Sequence, residues 1–161
     1  MHDHLSNYTF KQEVSPDTFA YQTDWMLRWH ARDRQMTFSL VLIDFHEPAA
    51  LGNALGAPYA MNLLRRVGRE VTETLRCTDL FCRSRVSSFW VLLPQGHPNI
   101  VLNKIEPILS AARADGLEAS AMRTSKLSVP EDLNGEASAL ELFKRLTGSR
   151  AGMSAVSVVQ A

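Results

Sequence analysis

The run Phe38-Ser-Leu-Val-Leu-Ile-Asp44 constrains this chain more than any other segment. A short, nearly unbroken apolar stretch reads as a buried strand, here one that ends in a charge. A buried strand needs cover, and the flanking sequence supplies it as amphipathic helices. Leu63, Leu64, Val67, Val71 and Leu75 form one stripe, which predicts a helix over Tyr59 to Leu75. Ile100 to Ala114 repeats the pattern, with Pro107 inside it as a source of a kink. Ahead of the strand, Phe19, Trp25, Met26 and Trp29 recur at helical spacing through about Arg34, with Ser15 or Asp17 as the cap beside Pro16. Asp79 to Arg85 and Phe89 to Leu93 flank Val86-Ser87-Ser88 and predict a hairpin. Gly116 to Thr124 is expected as a strand, Pro130 to Gly135 as a loop and Ala137 to Leu146 as a last helix. Residues 1–14 and 148–161 are expected as flexible ends of one domain over 15–147. The order is that of an α+β fold, with helices packed on a mainly antiparallel sheet.

Composition narrows the function. Of 161 residues, 45% are hydrophobic and 21% charged, a globular balance. Lys+Arg and Asp+Glu are both 17, so no bulk field attracts nucleic acid or an anionic membrane. No apolar run approaches a membrane span, and the start is too polar for a signal peptide. Two cysteines fit a reducing cytoplasm, and their spacing is not that of a zinc site. The charges are uneven along the chain. Arg65, Arg66, Arg69, Arg76, Arg83 and Arg85 crowd one stretch, while Asp115 to Glu141 is mainly acidic. Arginine suits planar recognition of phosphates and guanine edges; a solvated face of internal ion pairs explains such a stretch equally well.

Three segments together resemble the GGDEF, or diguanylate cyclase, domain. They are Phe38 to Asp44, Leu64-Arg-Arg-Val67, and Arg83-Ser-Arg-Val-Ser-Ser-Phe-Trp-Val-Leu-Leu-Pro94, in an ungapped match from about Phe38 to Pro94. The resemblance implies a palm-like fold, a central antiparallel sheet with flanking helices. Active members join two GTP molecules into cyclic di-GMP. Their hairpin turn carries two glycines, which let backbone approach a triphosphate, followed by acidic residues that with a strand-end Asp hold Mg²⁺.

Here that turn reads Arg85-Val86-Ser87-Ser88-Phe89, and only Phe89 is retained. Val86 is β-branched and resists positive φ. Ser87 and Ser88 offer neutral hydroxyls for carboxylates. Asp44 keeps the first metal position, but His46 stands where a second Asp is usual. Pro48-Ala49, Gly52-Asn53 and Ala60-Met61 replace the pairs that bind phosphate and guanine. The expectation is a degenerate site with no catalytic residue, no metal and no cofactor.

One element survives. Arg76-Cys77-Thr78-Asp79 matches the family's Arg-x-x-Asp product site, with Asp79 six residues before Arg85. A guanidinium suits the O6/N7 edge of guanine or a phosphate, and a carboxylate accepts from the N1–H and N2–H edge. The plain alternative is a turn capped by Asp79, with Arg76 closing a helix. Arg69 and Arg113 are candidates for a completing cation. Arg83 and Arg85, two apart on a strand, are expected on one face, where with Arg76 they would make a basic patch. Trp25 and Trp29 are expected mainly as core or dimer contacts, with base stacking as the lesser reading. The expected function is an inactive GGDEF-like domain in the cytoplasm, a cyclic di-GMP receptor or regulatory module through Arg76 and Asp79, acting on a protein effector and capable of homodimerisation. The alternative is a dimerisation or docking scaffold that binds no nucleotide.

Overall fold

A computed structural model of the chain describes residues 12–45, 48–85, 87–117, 122–148 and 158–160. The elements run α1 (Pro16–Arg32), β1 (Phe38–Phe45), α2 (Pro48–Leu55), α3 (Ala57–Glu73), β2 (Leu80–Arg85), β3 (Ser88–Pro94), α4 (Pro98–Ala114), β4 (Met122–Val129), α5 (Ala139–Gly148) and β5 (Val158–Gln160). The strands form one sheet in the order β2-β3-β1-β4-β5, with every neighbouring pair antiparallel. The α+β architecture expected from the sequence is the one observed.

The apolar run of β1 occupies the middle of the sheet and is buried along its whole length. Alternate side chains serve two cores, as a period of two requires. Val41, Ile43 and Phe45 meet Leu63, Leu64, Val67 and Val71 of α3 and Ile105 and Leu109 of α4. Phe38, Leu40 and Leu42 meet Phe19, Met26 and Leu27 of α1 and Leu142 and Leu146 of α5. β1 pairs Val41 with Val91 and Leu42 with Trp90, so β3 repeats the same division. Burying each such aliphatic side chain contributes roughly 1.5–3 kcal/mol, which makes the two-sided sheet the dominant apolar term.

Local signals explain the helix ends. The Ser15 hydroxyl accepts the Thr18 N–H at 3.2 Å, with Pro16 in the first turn, so Ser15 and not Asp17 is the cap of α1. His30 Nδ1 bonds the Met36 carbonyl at 2.7 Å and fixes the exit from α1. Gly56, at φ +82°, supplies the left-handed step into α3 that a side chain would resist. Pro107 lies inside α4, which continues to Ala114.

Three boundaries differ from expectation. The strand expected over Gly116 to Thr124 is Met122–Val129. Its Thr124 and Ser125 are buried although polar, because β1 pairs alongside them and the ladder satisfies their backbone. Gln12 to Val14, expected in the frayed start, pair with β2: the Val14 N–H donates to the Phe81 carbonyl at 2.8 Å. Within the stretch expected as a tail, Val158–Gln160 extend the sheet beside β4. No helix among the described residues is long and apolar enough to cross a membrane.

Candidate functional site

The hairpin end of the sheet carries the first group of expected site residues. β1 places Asp44 opposite Ser88 on one side and Arg123 on the other. Asp44 is buried, and the Ser88 hydroxyl donates to its Oδ1 at 2.7 Å. Ser87 and Phe89 are buried as well, and the Ser87 carbonyl accepts the Phe45 N–H at 2.9 Å. Val86 and His46 lie outside the described residues. This donor set does not suit Mg²⁺, a hard cation that wants several anionic oxygens. Among the described residues it offers one carboxylate, whose Oδ1 already accepts a hydrogen bond from a serine hydroxyl, and two neutral hydroxyls. Among the described residues no three His, Cys, Asp or Glu side chains gather around one point.

A bulge separates the two arginines of β2. Arg83 lies opposite Phe89 and Arg85 opposite Ser88, so two residues of β2 span one of β3 and the alternation breaks. The pair therefore does not share the face that regular alternation predicts. Arg83 bonds Glu13, with Nε to Oε1 at 2.6 Å. Arg85 instead lines a groove of about 490 Å³ between α1 and α5, over an aromatic floor of Phe19, Trp90 and Phe143. Trp90 and Phe143 are 4.9 Å apart between ring centroids, and Trp90 Nε1–H donates to the Ser84 hydroxyl at 3.1 Å. Cys82 is buried in the same wall. Its thiol is pushed up to about 11, by burial first and then by Glu13, against a smaller opposing pull from Arg83.

The second group is the turn between α3 and β2. Asp79 is fully buried, and its carboxylate is turned back onto its own turn. Oδ2 accepts the Arg76 backbone N–H at 2.8 Å, while Oδ1 accepts Arg76 Nη2–H at 2.9 Å and Nε–H at 3.2 Å. Arg76 Nη2 also donates to the Pro94 carbonyl at 2.8 Å, across the end of β3. The Gln12 amide donates to the Arg76 carbonyl at 2.6 Å. Half of the Arg76 side chain remains exposed, against 1% of Asp79's. The structure thus brings Arg76 and Asp79 together and holds the guanidinium in one orientation at the surface.

Arg66 pairs with Asp115 and Arg113 with Glu106, while Arg69 is exposed on α3. Sequence reasoning missed Glu13 as the partner of Arg83 and Pro94 as a support for Arg76. Both contacts span distant parts of the chain, and no local spacing announces them. Trp25 and Trp29 are not core residues; they are 44% and 38% exposed, because the stripe of α1 that packs inward is Phe19, Thr23, Met26, Leu27 and His30.

No protein-family model matches the sequence, and no curated protein matches it. Solved structures do. The GGDEF domain of DgcB from Caulobacter crescentus, in complex with cyclic di-GMP, aligns with a TM-score of 0.68 at 14% identity over 95% of this chain and 94% of its own. The GGDEF domain of YfiN (TpbB) from Pseudomonas aeruginosa aligns at 0.63 and 19% identity over 86% and 91%. The diguanylate cyclase SiaD of Pseudomonas aeruginosa, solved with its activator SiaC, aligns at 0.61 and 15% identity over 86% of this chain and 54% of its own. The likeness runs over nearly the whole chain, a central antiparallel sheet with helices on both faces: it has the fold of GGDEF domains.

Proposed function

We propose that this chain is a non-catalytic GGDEF-fold domain that works by binding, with cyclic di-GMP recognised at the Arg76 turn. The observation that carries the first half is the buried bond from Ser88 to Asp44. Oδ1 of the carboxylate retained at the family's metal position accepts a hydroxyl inside the sheet, and the described residues beside it bring no further negative charge to hold Mg²⁺-bound triphosphate. The second half is supported by Arg76, whose guanidinium is braced by Asp79 and Pro94 and half open to solvent. A braced guanidinium loses little entropy on pairing with a guanine edge or a phosphate. Asp79 then acts as a positioning residue, since its carboxylate would have to leave its bonds to the Arg76 backbone and guanidinium to reach a guanine. Two supporting likenesses are the DgcB domain, solved with cyclic di-GMP, and SiaD, solved with a protein activator. In this reading the domain acts in the bacterial cytoplasm, and ligand alters its contact with a protein effector or a second copy.

Calorimetric titration of the full chain with cyclic di-GMP tests the proposal. Heat is expected from the unsubstituted protein, an affinity about tenfold weaker in Arg76→Lys, which keeps charge but loses the fork, and none in Arg76→Ala. A silent titration with the unsubstituted protein would leave a docking scaffold that binds no nucleotide. Dinucleotide formed from GTP and Mg²⁺ would overturn the non-catalytic half.

A further inference from the structure

Trp25 and Trp29 stand one turn apart on α1, in an edge-to-face pair with ring centroids 4.7 Å apart. Exposing two indoles side by side leaves a large apolar area in water, which marks a contact surface. The ridge they form walls a mostly apolar groove of about 420 Å³, floored by Met26, Met36, Leu80 and Leu92. The far rim of that groove is Thr78 and Pro94. Thr78 lies within the Arg76 to Asp79 turn, and the Pro94 carbonyl is the one that Arg76 Nη2 holds. The groove therefore runs from the indoles to two residues that adjoin Arg76. On the other flank of the ridge lie Arg28 and Arg32. An apolar groove with an aromatic wall and a braced guanidinium beside its rim matches the two halves of a nucleotide, a planar base and a phosphate.

We propose that this groove holds a guanine base of the cyclic dinucleotide, stacked on the Trp25 and Trp29 ridge, while Arg76 meets the adjoining phosphate. The inference rests on the reading of Arg76 given above and adds to it a base pocket built by α1. Flexible thioethers at Met26 and Met36 let the floor adapt to the base, and no acidic side chain lines the groove.

The test is calorimetry and tryptophan emission on the full chain, with cyclic di-GMP and with GMP at millimolar concentration. Trp25→Leu and Trp29→Leu keep apolar bulk and remove the stacking face; each is expected to weaken cyclic di-GMP binding about tenfold. Trp25→Phe and Trp29→Phe are expected to recover most of that loss, which separates stacking from damage to α1. Binding to the unsubstituted protein is expected to quench emission, because two of the three tryptophans face the groove. Unchanged affinity in both Leu variants, with binding still lost in Arg76→Ala, overturns the base pocket and leaves the Arg76 reading intact. Heat from GMP that the Leu variants abolish, without heat from cyclic di-GMP, would mark a mononucleotide pocket and overturn both the cyclic dinucleotide assignment and the Arg76 reading. No response to either nucleotide overturns both.

Discussion

Ser88 and Asp44 face each other across β3 and β1, and the serine hydroxyl donates to the aspartate Oδ1 at 2.7 Å in a buried position. A hydroxyl next to a buried carboxylate stabilises the charge that the sheet would otherwise penalise. Ser88→Ala removes that donor and is expected to lower unfolding free energy by roughly 1–2 kcal/mol, read by urea titration. An unchanged midpoint would show that the bond contributes nothing to folding.

Asp79 is expected to matter more to stability than its half-exposed partner's surface position suggests. It accepts the Arg76 backbone N–H and two guanidinium hydrogens from a fully buried site. Asp79→Ala leaves that N–H and the end of the turn without their acceptor, at a cost of roughly 2–3 kcal/mol. Asp79→Asn, which keeps one acceptor, is expected to cost less. Thermal melts of both variants decide it; equal losses would mean that charge alone, not the capping bond, holds the turn.

The loop before α5 carries a pH-sensitive bond. Burial by itself raises the Glu136 carboxyl, but N–H bonds from Asn134 and from its own backbone, with the bond and charge of Arg145, outweigh it and hold the group below its usual range. Arg145 Nη1–H reaches Glu136 Oε1 at 2.8 Å, and the Asn134 N–H reaches Oε2 at 2.6 Å. A depressed carboxyl adds stability above its unfolded-state titration and loses it as pH falls through the folded one. Glu136→Gln is therefore expected to lower Tm by a few degrees at pH 7. The gap should close well below pH 4, where both proteins are neutral at this position. A gap that stays constant with pH would assign the effect to packing.

The two thiols should react at very different rates. Cys77 is exposed on the Arg76 turn, whereas Cys82 is buried with its thiol near 11. At pH 8 almost no Cys82 thiolate exists, so a thiol reagent is expected to label one cysteine per native chain quickly and the second only on unfolding. Rapid labelling of both would show that the groove beside Trp90 opens in solution.

Gly96 approaches Arg76 too closely for a side chain. A Cβ there would lie 2.8 Å from Leu93 Cβ and 2.9 Å from Arg76 Nη2. Gly96→Ala is expected to cost roughly 1–3 kcal/mol through overpacking and to weaken cyclic di-GMP binding by displacing the guanidinium. Wild-type melting and affinity together would show that the loop after β3 yields freely.

Much of this fold could be read from periodicity and end signals. The apolar run of β1, the stripe of α3, the Ser15 cap and the hairpin ahead of Phe89 are local patterns, and each reports its own burial through spacing along the chain. β4 was less legible because Thr124, Ser125 and Lys126 carry no apolar alternation; pairing with β1 makes it a strand. Within the candidate site, sequence alone determined which side chains are available: an aspartate at the strand end, serines in place of acids, an arginine and an aspartate three apart. Tertiary structure alone decided where they point. It turned Asp79 inward onto Arg76, split Arg83 from Arg85 at a bulge, and left Trp25 and Trp29 facing water beside the Arg76 turn. The reason is physical: spacing fixes which residues share a face, but the partner that covers or exposes that face comes from distant segments of the chain.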